Sequence, residues 1–174
     1  MMRFIVLPSQ ISKTYADSIR HKLLSRNSLI STVSDLRALG KSIATLNGSF
    51  DLLHAGHLEM IYQASLQADV LIVGLNTDSS IQRYKSPLRP IISLEYRLQM
   101  MAALEMIDYV SWFDELDPIA WLELIRPDVH VNGAEYGSDC IEAGVVSRYG
   151  GRLHIVSLIP GLSTSNIIRK IKET

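Results

Sequence analysis

Leu46-Asn47-Gly48-Ser49-Phe50-Asp51-Leu52-Leu53-His54-Ala55-Gly56-His57 is the stretch on which the reading of the whole chain turns. It follows a short β-prone run, Ser42-Ile43-Ala44-Thr45, and precedes Leu58 to Gln67, where Leu58, Ile61, Tyr62 and Leu66 recur at helical spacing. The motif therefore spans a strand-to-helix turn, with both histidines in the first helical turn. Unpaired backbone N–H groups and the positive end of the helix dipole favour an anion there. Gly48 and Gly56 carry no Cβ, which leaves room for phosphate oxygens close to the backbone. His54 and His57 can point imidazole donors at the same oxygens. One histidine at a helix start is ordinarily a cap or a surface residue. Two that frame a glycine between strand and helix are far more specific, and they mark a phosphate site built for chemistry.

Working outward, strand and helix signals alternate from Ile43 to the end. Strands are expected at Val70–Leu75, Tyr109–Phe113, Val129–Val131 and Leu153–Val156. Helices are expected at Ser79–Arg83, Leu94–Met106, Ile119–Ile125, Asp139–Tyr149 and Ser163–Ile171. This alternation predicts an α/β fold with a doubly wound parallel sheet, whose ligands lie beyond the carboxyl ends of the strands. Residues 1–41 are expected as a short helical N-terminal extension to a catalytic core over 42–174, the whole forming one domain. Phe4 to Leu7 reads as a strand or extended arm, while Tyr15, Ile19, Leu23 and Leu24 share one helical face. A second helix is expected over Val33–Leu39, with Gly40 as its left-handed cap.

A chain of 174 residues, 47% hydrophobic, can bury a sizeable core. Its net charge of −1 gives no electrostatic reason to expect nucleic acid. The single cysteine, Cys140, excludes an internal disulfide and fits a reducing cytoplasm. No run is long enough to span a bilayer, so no membrane partner is expected. His21, His130 and His154 stand in no comparable setting, and without a Cys/His cluster no metal site made by the protein alone is expected.

The connections after strands add candidates. Asn76-Thr77-Asp78 leads to Arg83, Lys85 and Arg89, cations that bind phosphate or are simply solvated. Asp78 is either a helix cap or a ligand. Ser93 reads as the cap of the next helix, which carries Arg97 and is apolar almost all round; such a helix needs cover on both sides, from its own domain or from a second subunit. Ser163, Thr164 and Ser165 at the last helix start are caps or an anion nest.

The first motif resembles the H-x-G-H signature of the cytidylyltransferase-like nucleotidyltransferases, and most of all the D-glycero-β-D-manno-heptose 1-phosphate adenylyltransferases. Where that family commonly reads T-N-G-C-F-D, Leu46 and Ser49 replace the threonine and the cysteine. Lys85 and Arg89-Pro90 match a following loop in which Ser86 replaces a glycine. Arg97 matches a Glu-x-Arg segment facing the acceptor's phosphate; the alternative is that Glu95 and Arg97 lie on a helix surface. Asn132-Gly133-Ala134-Glu135-Tyr136 stands where the family usually has K-G-G-D-Y, and Ser163-Thr164-Ser165 resembles its closing S-T-T.

The resemblance implies a Rossmann-like nucleotidyltransferase that joins the α-phosphoryl of a nucleoside triphosphate, ATP foremost, to a sugar phosphate such as heptose 1-phosphate. Alternatives are a glycerol 3-phosphate cytidylyltransferase and a nucleotide-binding module without turnover. It implies His54, His57 and Lys85 as catalytic residues, and Arg89 and Arg97 as ligands of the acceptor. The nucleotide would be held by Asn47, Gly48, Ser49, Phe50, Asp51 and Gly56, with Asn132, Glu135, Ser163, Thr164 and Ser165. Asp51 orients either the motif or a metal-bound water. Mg²⁺ bound through the substrate phosphates and a homodimer near the Leu94–Met106 helix complete the expectation.

Overall fold

A computed structural model describes residues 14–157 and 161–174. The expected arm at Phe4 to Leu7 lies outside the described residues. The strands are β1 (Leu23–Leu24), β2 (Ile43–Gly48), β3 (Val70–Asn76), β4 (Tyr109–Phe113), β5 (Val129–Gly133) and β6 (Arg152–Val156). They form one sheet in the order β1-β4-β3-β2-β5-β6, and every pairing is parallel. The order reverses between β2 and β5, so the crevice for a ligand opens above the end of β2, where the histidine motif begins.

Side chains alternate along each strand and load both faces. Ala44, Leu46, Leu71, Val73 and Leu75 pack with Ile61 and Ala64 of α3 (Ala55–Ser65), Leu98 and Met101 of α5 (Leu94–Ala102) and Ile19 of α1 (Tyr15–Ile19). On the opposite face Ile43, Val70 and Ile72 meet Leu29 and Val33 of α2 (Arg26–Ala38). The same layer holds Trp121, Leu122 and Ile125 of α6 (Ile119–Ile125), and Val145 and Val146 of α7 (Ala143–Arg148). α4 (Asp78–Tyr84) and α8 (Thr164–Lys172) complete the helices described.

Four expectations change. Leu23 and Leu24 are not helical: after a 3₁₀ turn at Arg20–Lys22 they pair with Val110 and Ser111 as the edge strand of the sheet. The helix expected at Val33 begins at Arg26, where the Ser25 hydroxyl accepts from Ser28 N–H. Asp78 is not a cap, because the Thr77 hydroxyl accepts from Ser80 N–H and places Asp78 in the first turn of α4. α5 stops at Ala102; beyond it the Lys22 ammonium donates to the carbonyls of Leu104 (3.1 Å) and Ile107 (2.7 Å). The apolar side of α5 is covered from within the chain by Ile19.

Gly74 fits only because it has no side chain. A Cβ there would lie 2.7 Å from the Trp121 ring, which its own N–H holds to the Ser111 hydroxyl at 2.7 Å. Gly74→Ala is therefore expected to lower stability by about 1–3 kcal/mol through overpacking. Urea denaturation measures it, and an unchanged midpoint would show that the indole moves freely.

Candidate functional site

The turn after β2 takes Phe50 through the left-handed region, φ +44°, and brings its buried ring back beneath the loop. The two glycines serve the motif's own rings. A Cβ on Gly48 would stand 3.2 Å from the Phe50 ring, and one on Gly56 would stand 3.1 Å from the His54 ring. A side chain at either position would press on those rings, and both glycines also line a cavity.

Because both histidines fall in one turn at the start of α3, their rings stack, with centroids 3.8 Å apart and planes inclined by 23°. Phe50 also packs on His57, tilted by 60° at 5.4 Å between centroids. The Nδ1 atoms of both histidines are buried and have no hydrogen-bond partner among the described residues. Burial, then His54 and Lys85, depress the His57 pKa to about 4, and burial lowers that of His54. Near neutral pH the pair is uncharged, so each ring offers one N–H donor and one acceptor.

Lys85, at the end of α4 in the connection that follows β3, reaches the motif and donates to the Ser49 hydroxyl at 2.9 Å. Desolvation of its ammonium and the nearby Arg89 lower its pKa, while Asp51 works the other way. Ser163 caps α8 by accepting from Asn166 N–H at 3.1 Å, and Leu162 approaches Gly56, so the starts of α3 and α8 converge. Pro160 of that motif lies outside the described residues.

A cavity of about 240 Å³ gathers Asn47, Gly48, Ser49, Phe50, His54, Gly56, His57, Lys85, Asn132, Glu135, Ser163, Thr164 and Ser165. A second, of about 510 Å³, adjoins it across Asn47, Ser49, Lys85, Asn132 and Glu135. Three expected site residues stand apart from both. Asp51 is buried and accepts from the backbone N–H groups of Ile91 (2.8 Å) and Ile92 (2.9 Å) and from Arg89 (2.6 Å), so it orients the motif. Arg89 gives its Nε to that pair, while its buried Nη2 has no partner among the described residues. Arg97 corrects the expectation most: its guanidinium is fully buried and held by three carbonyls and Asp78, and it does not face a ligand.

Sequence reasoning missed Met60 and Leu162 in the first cavity, and Asn76, Tyr84, Asp117, Asp139 and Glu142 in the second. Asp139 to Glu142 were expected to be helical, but α7 starts only at Ala143 and leaves them as cavity wall. Tyr136 lines both cavities and lies in a loop the motif reading had singled out. Among the described residues no group of three or more His, Cys, Asp or Glu is placed to hold a metal ion. No helix of the described residues is long and apolar enough to cross a membrane.

Comparison with known proteins places these features in context. Residues 45–170 match the cytidylyltransferase-like family model. The chain is 43% identical over 166 residues to the Bifunctional protein HldE of Methylobacillus flagellatus, covering 95% of this chain and 33% of that protein. It is 42% identical over 151 residues to the protein of the same name from Geobacter sulfurreducens, covering 86% and 31%. The chain thus spans about a third of the length of these relatives. In fold it resembles a lipopolysaccharide core biosynthesis protein from Thermoplasma volcanium, with a TM-score of 0.56 and 24% identity over 69% of this chain and 98% of that one. It also resembles the pantoate-beta-alanine ligase of Francisella tularensis, with a TM-score of 0.58 and 14% identity over 87% and 79%.

The buried imidazoles make stability depend on pH. His130, fully buried beside the Thr45 hydroxyl at 2.8 Å, is held by burial at a pKa of about 4, as is His57. Both lie below the ordinary value of 6.5, so on acidification the unfolded chain takes up protons first. Stability should be complete above pH 6.5 and decline as pH falls toward 4. Urea midpoints across that range check the trend, and NMR should find the His57 ring titrating near 4. A His57 midpoint near 6.5 would mean that the ring is hydrated.

Proposed function

The chain belongs to the cytidylyltransferase-like family of nucleotidyltransferases, and from that premise we propose that it adenylylates a sugar phosphate, heptose 1-phosphate in particular. The observation that carries the reading is the single cavity joining the stacked histidines, Lys85 and the hydroxyl-rich start of α8. The resemblance of the motif to heptose 1-phosphate adenylyltransferases supports the choice of acceptor.

An oxygen of the acceptor's phosphate attacks the α-phosphorus of ATP. The bond from that phosphorus to the bridging oxygen breaks, and pyrophosphate carries the electron pair away. The acceptor is already anionic near neutral pH, so the reaction needs alignment and charge stabilisation more than a strong base. His54 and His57 donate to the oxygens on which charge grows, Lys85 steadies the transferred phosphoryl, and the start of α8 holds the triphosphate. Mg²⁺ held through the substrate phosphates would supply charge neutralisation; Asp51 is committed to Arg89 and two backbone N–H groups, so it would leave that ion to the substrate. The Ser49 replacement supports turnover, since its hydroxyl positions Lys85.

The same proposal places the enzyme in the cytoplasm, in keeping with the unpaired Cys140. It also makes the enzyme a homodimer with its contact near α5, where Tyr96 remains exposed. Light scattering at micromolar concentration should show twice the chain mass; a monomer would remove the dimer.

Pyrophosphate release with ATP and CTP, each paired with heptose 1-phosphate and glycerol 3-phosphate, tests the reaction. ATP with heptose 1-phosphate should turn over best. His54→Ala and His57→Ala should each cut kcat by about 10²–10³ and leave nucleotide affinity nearly unchanged. Folded variants with normal turnover would remove the histidines from the mechanism.

A further inference from the structure

A third cavity, of about 370 Å³, lies between Arg89 and one face of α8. That face carries Ser165, Ile168, Arg169 and Lys172, spaced as neighbours along a helix, with Glu173 beside them. Neither histidine lines it, and Ser165 is the residue it shares with the first cavity. Three cations thus line one space, against a single carboxylate. Glu173 pairs with Arg169 at 3.7 Å, but both side chains are more than half exposed, and such a pair opens at little cost. Arg89 is set differently. Its side chain is 14% exposed, Asp51 takes its Nε, and its buried Nη2 has no acceptor among the described residues. A buried donor without an acceptor is costly, and an anion in the adjoining space supplies one.

α8 itself is lightly held. No side chain on it is buried. Among the described residues, Thr164 gives the hydrogen bond that ties its side chains to the body of the protein, to the Leu52 carbonyl at a long 3.5 Å. Yet Ser163, Thr164 and Ser165 line the first cavity, so the seat of this helix decides where those hydroxyls stand. Like charge on Arg89, Arg169 and Lys172 works against that seat.

We propose that the third cavity is a site for a multivalent phosphate anion distinct from the nucleotide, and that its occupation seats α8 against Arg89 and favours nucleotide binding in the first cavity. A tetrahedral anion offers oxygens in several directions, so two guanidinium groups and an ammonium from separate segments can share it. A planar carboxylate serves one such fork well. The anion turns mutual repulsion of three cations into three attractions, and the start of α8 gains a fixed place. Inorganic phosphate and released pyrophosphate share this chemistry. The effect on the nucleotide rests on the reaction proposed above, whereas the anion site stands without it.

The test compares wild type with an Arg169→Glu, Lys172→Glu double variant, using inorganic phosphate, pyrophosphate, and chloride at matched ionic strength. Both positions are exposed, so charge reversal there spares the core. A saturating non-hydrolysable ATP analogue keeps the first cavity filled. Phosphate at ten times its Kd should then raise the wild-type Tm by about 3–6 °C, and the double variant should lose that rise. In calorimetry, phosphate should tighten the analogue about fivefold in wild type and leave it unchanged in the variant. Pyrophosphate bound more tightly than phosphate names the leaving group as occupant, and the reverse names free phosphate; both outcomes support the site. Competition between phosphate and the analogue would overturn the proposal and make Arg169 and Lys172 ligands of the nucleotide. A Tm rise no larger than with chloride, or one the double variant keeps, would overturn it as well. Phosphate bound without any change in analogue affinity would remove the seating of α8. If the double variant fails to fold, Lys172→Gln decides, and it should weaken phosphate at least fivefold. An analogue that does not bind sinks the nucleotidyltransferase reading, while the phosphate titration repeated without it on both proteins still decides the site.

Discussion

One fully buried guanidinium holds the carboxyl ends of β2 and β3 in place. Arg97 donates from Nε to the Ile92 carbonyl (2.9 Å), from Nη1 to that of Ser49 (2.7 Å) and from Nη2 to that of Asn76 (2.9 Å). Its charge meets Asp78 at 2.7 Å. Taking an unpaired cation out of water costs several kcal/mol, so the site exists only while all of these partners are present. Asp51 is the complement. Burial alone would raise its pKa, but hydrogen bonds from Ile91, Ile92 and Arg89 outweigh this and keep it ionised. The two charges clamp the loop after β2 to the loop before α5 from opposite sides.

That clamp explains how the motif keeps a conformation it would not choose alone. A non-glycine residue at φ +44° is uncommon, and Phe50 persists there because the carbonyl of Ser49 before it and the carboxylate of Asp51 after it are both anchored. Phe50 packs on His57, which stacks on His54. Two imidazolium rings stacked at 3.8 Å would repel, which is one reason His57 titrates near 4. Negative charge arriving beside such a pair raises its affinity for protons. The pair therefore responds to charge that accumulates during a reaction, and it does so without presenting a permanent cation to the resting site.

Much of this was legible in the residues. Continuous apolar runs such as Val70 to Leu75 identify strands buried on both faces, and the alternation with helical segments yields the parallel sheet. The histidine spacing and the Ser163 cap stand in the chain itself. Arg97 was not legible: its four partners come from segments that sequence spacing does not bring together, so an arginine after a glutamate on a helix reads as a surface residue or a ligand. Leu23 and Leu24 were misread for a related reason. A strand of two residues has too little length to show a period, and its pairing with β4 is a tertiary fact. Asp139 to Glu142 look helical by composition, yet they serve as cavity wall because Glu142 turns toward Asn132.

With Arg97 buried among its own partners and Arg89 outside both cavities, their walls have few full positive charges to give a nucleotide. Lys85 is the ammonium in the walls of both cavities, beside neutral histidines. Helix N-termini and hydroxyls must then supply most of the attraction, through partial charges that act only at short range and in the right direction. A concentrated cluster of cations would hold a triphosphate in many poses. Directional donors at the converging starts of α3 and α8 accept few, and the carboxylates of the adjoining cavity exclude others by repulsion. On the proposed reaction this is what matters, because alignment of the two phosphates contributes more than raw affinity, and pyrophosphate held loosely can leave. The near-neutral chain and the weakly charged site are two aspects of one design, in which position does the work that charge does elsewhere.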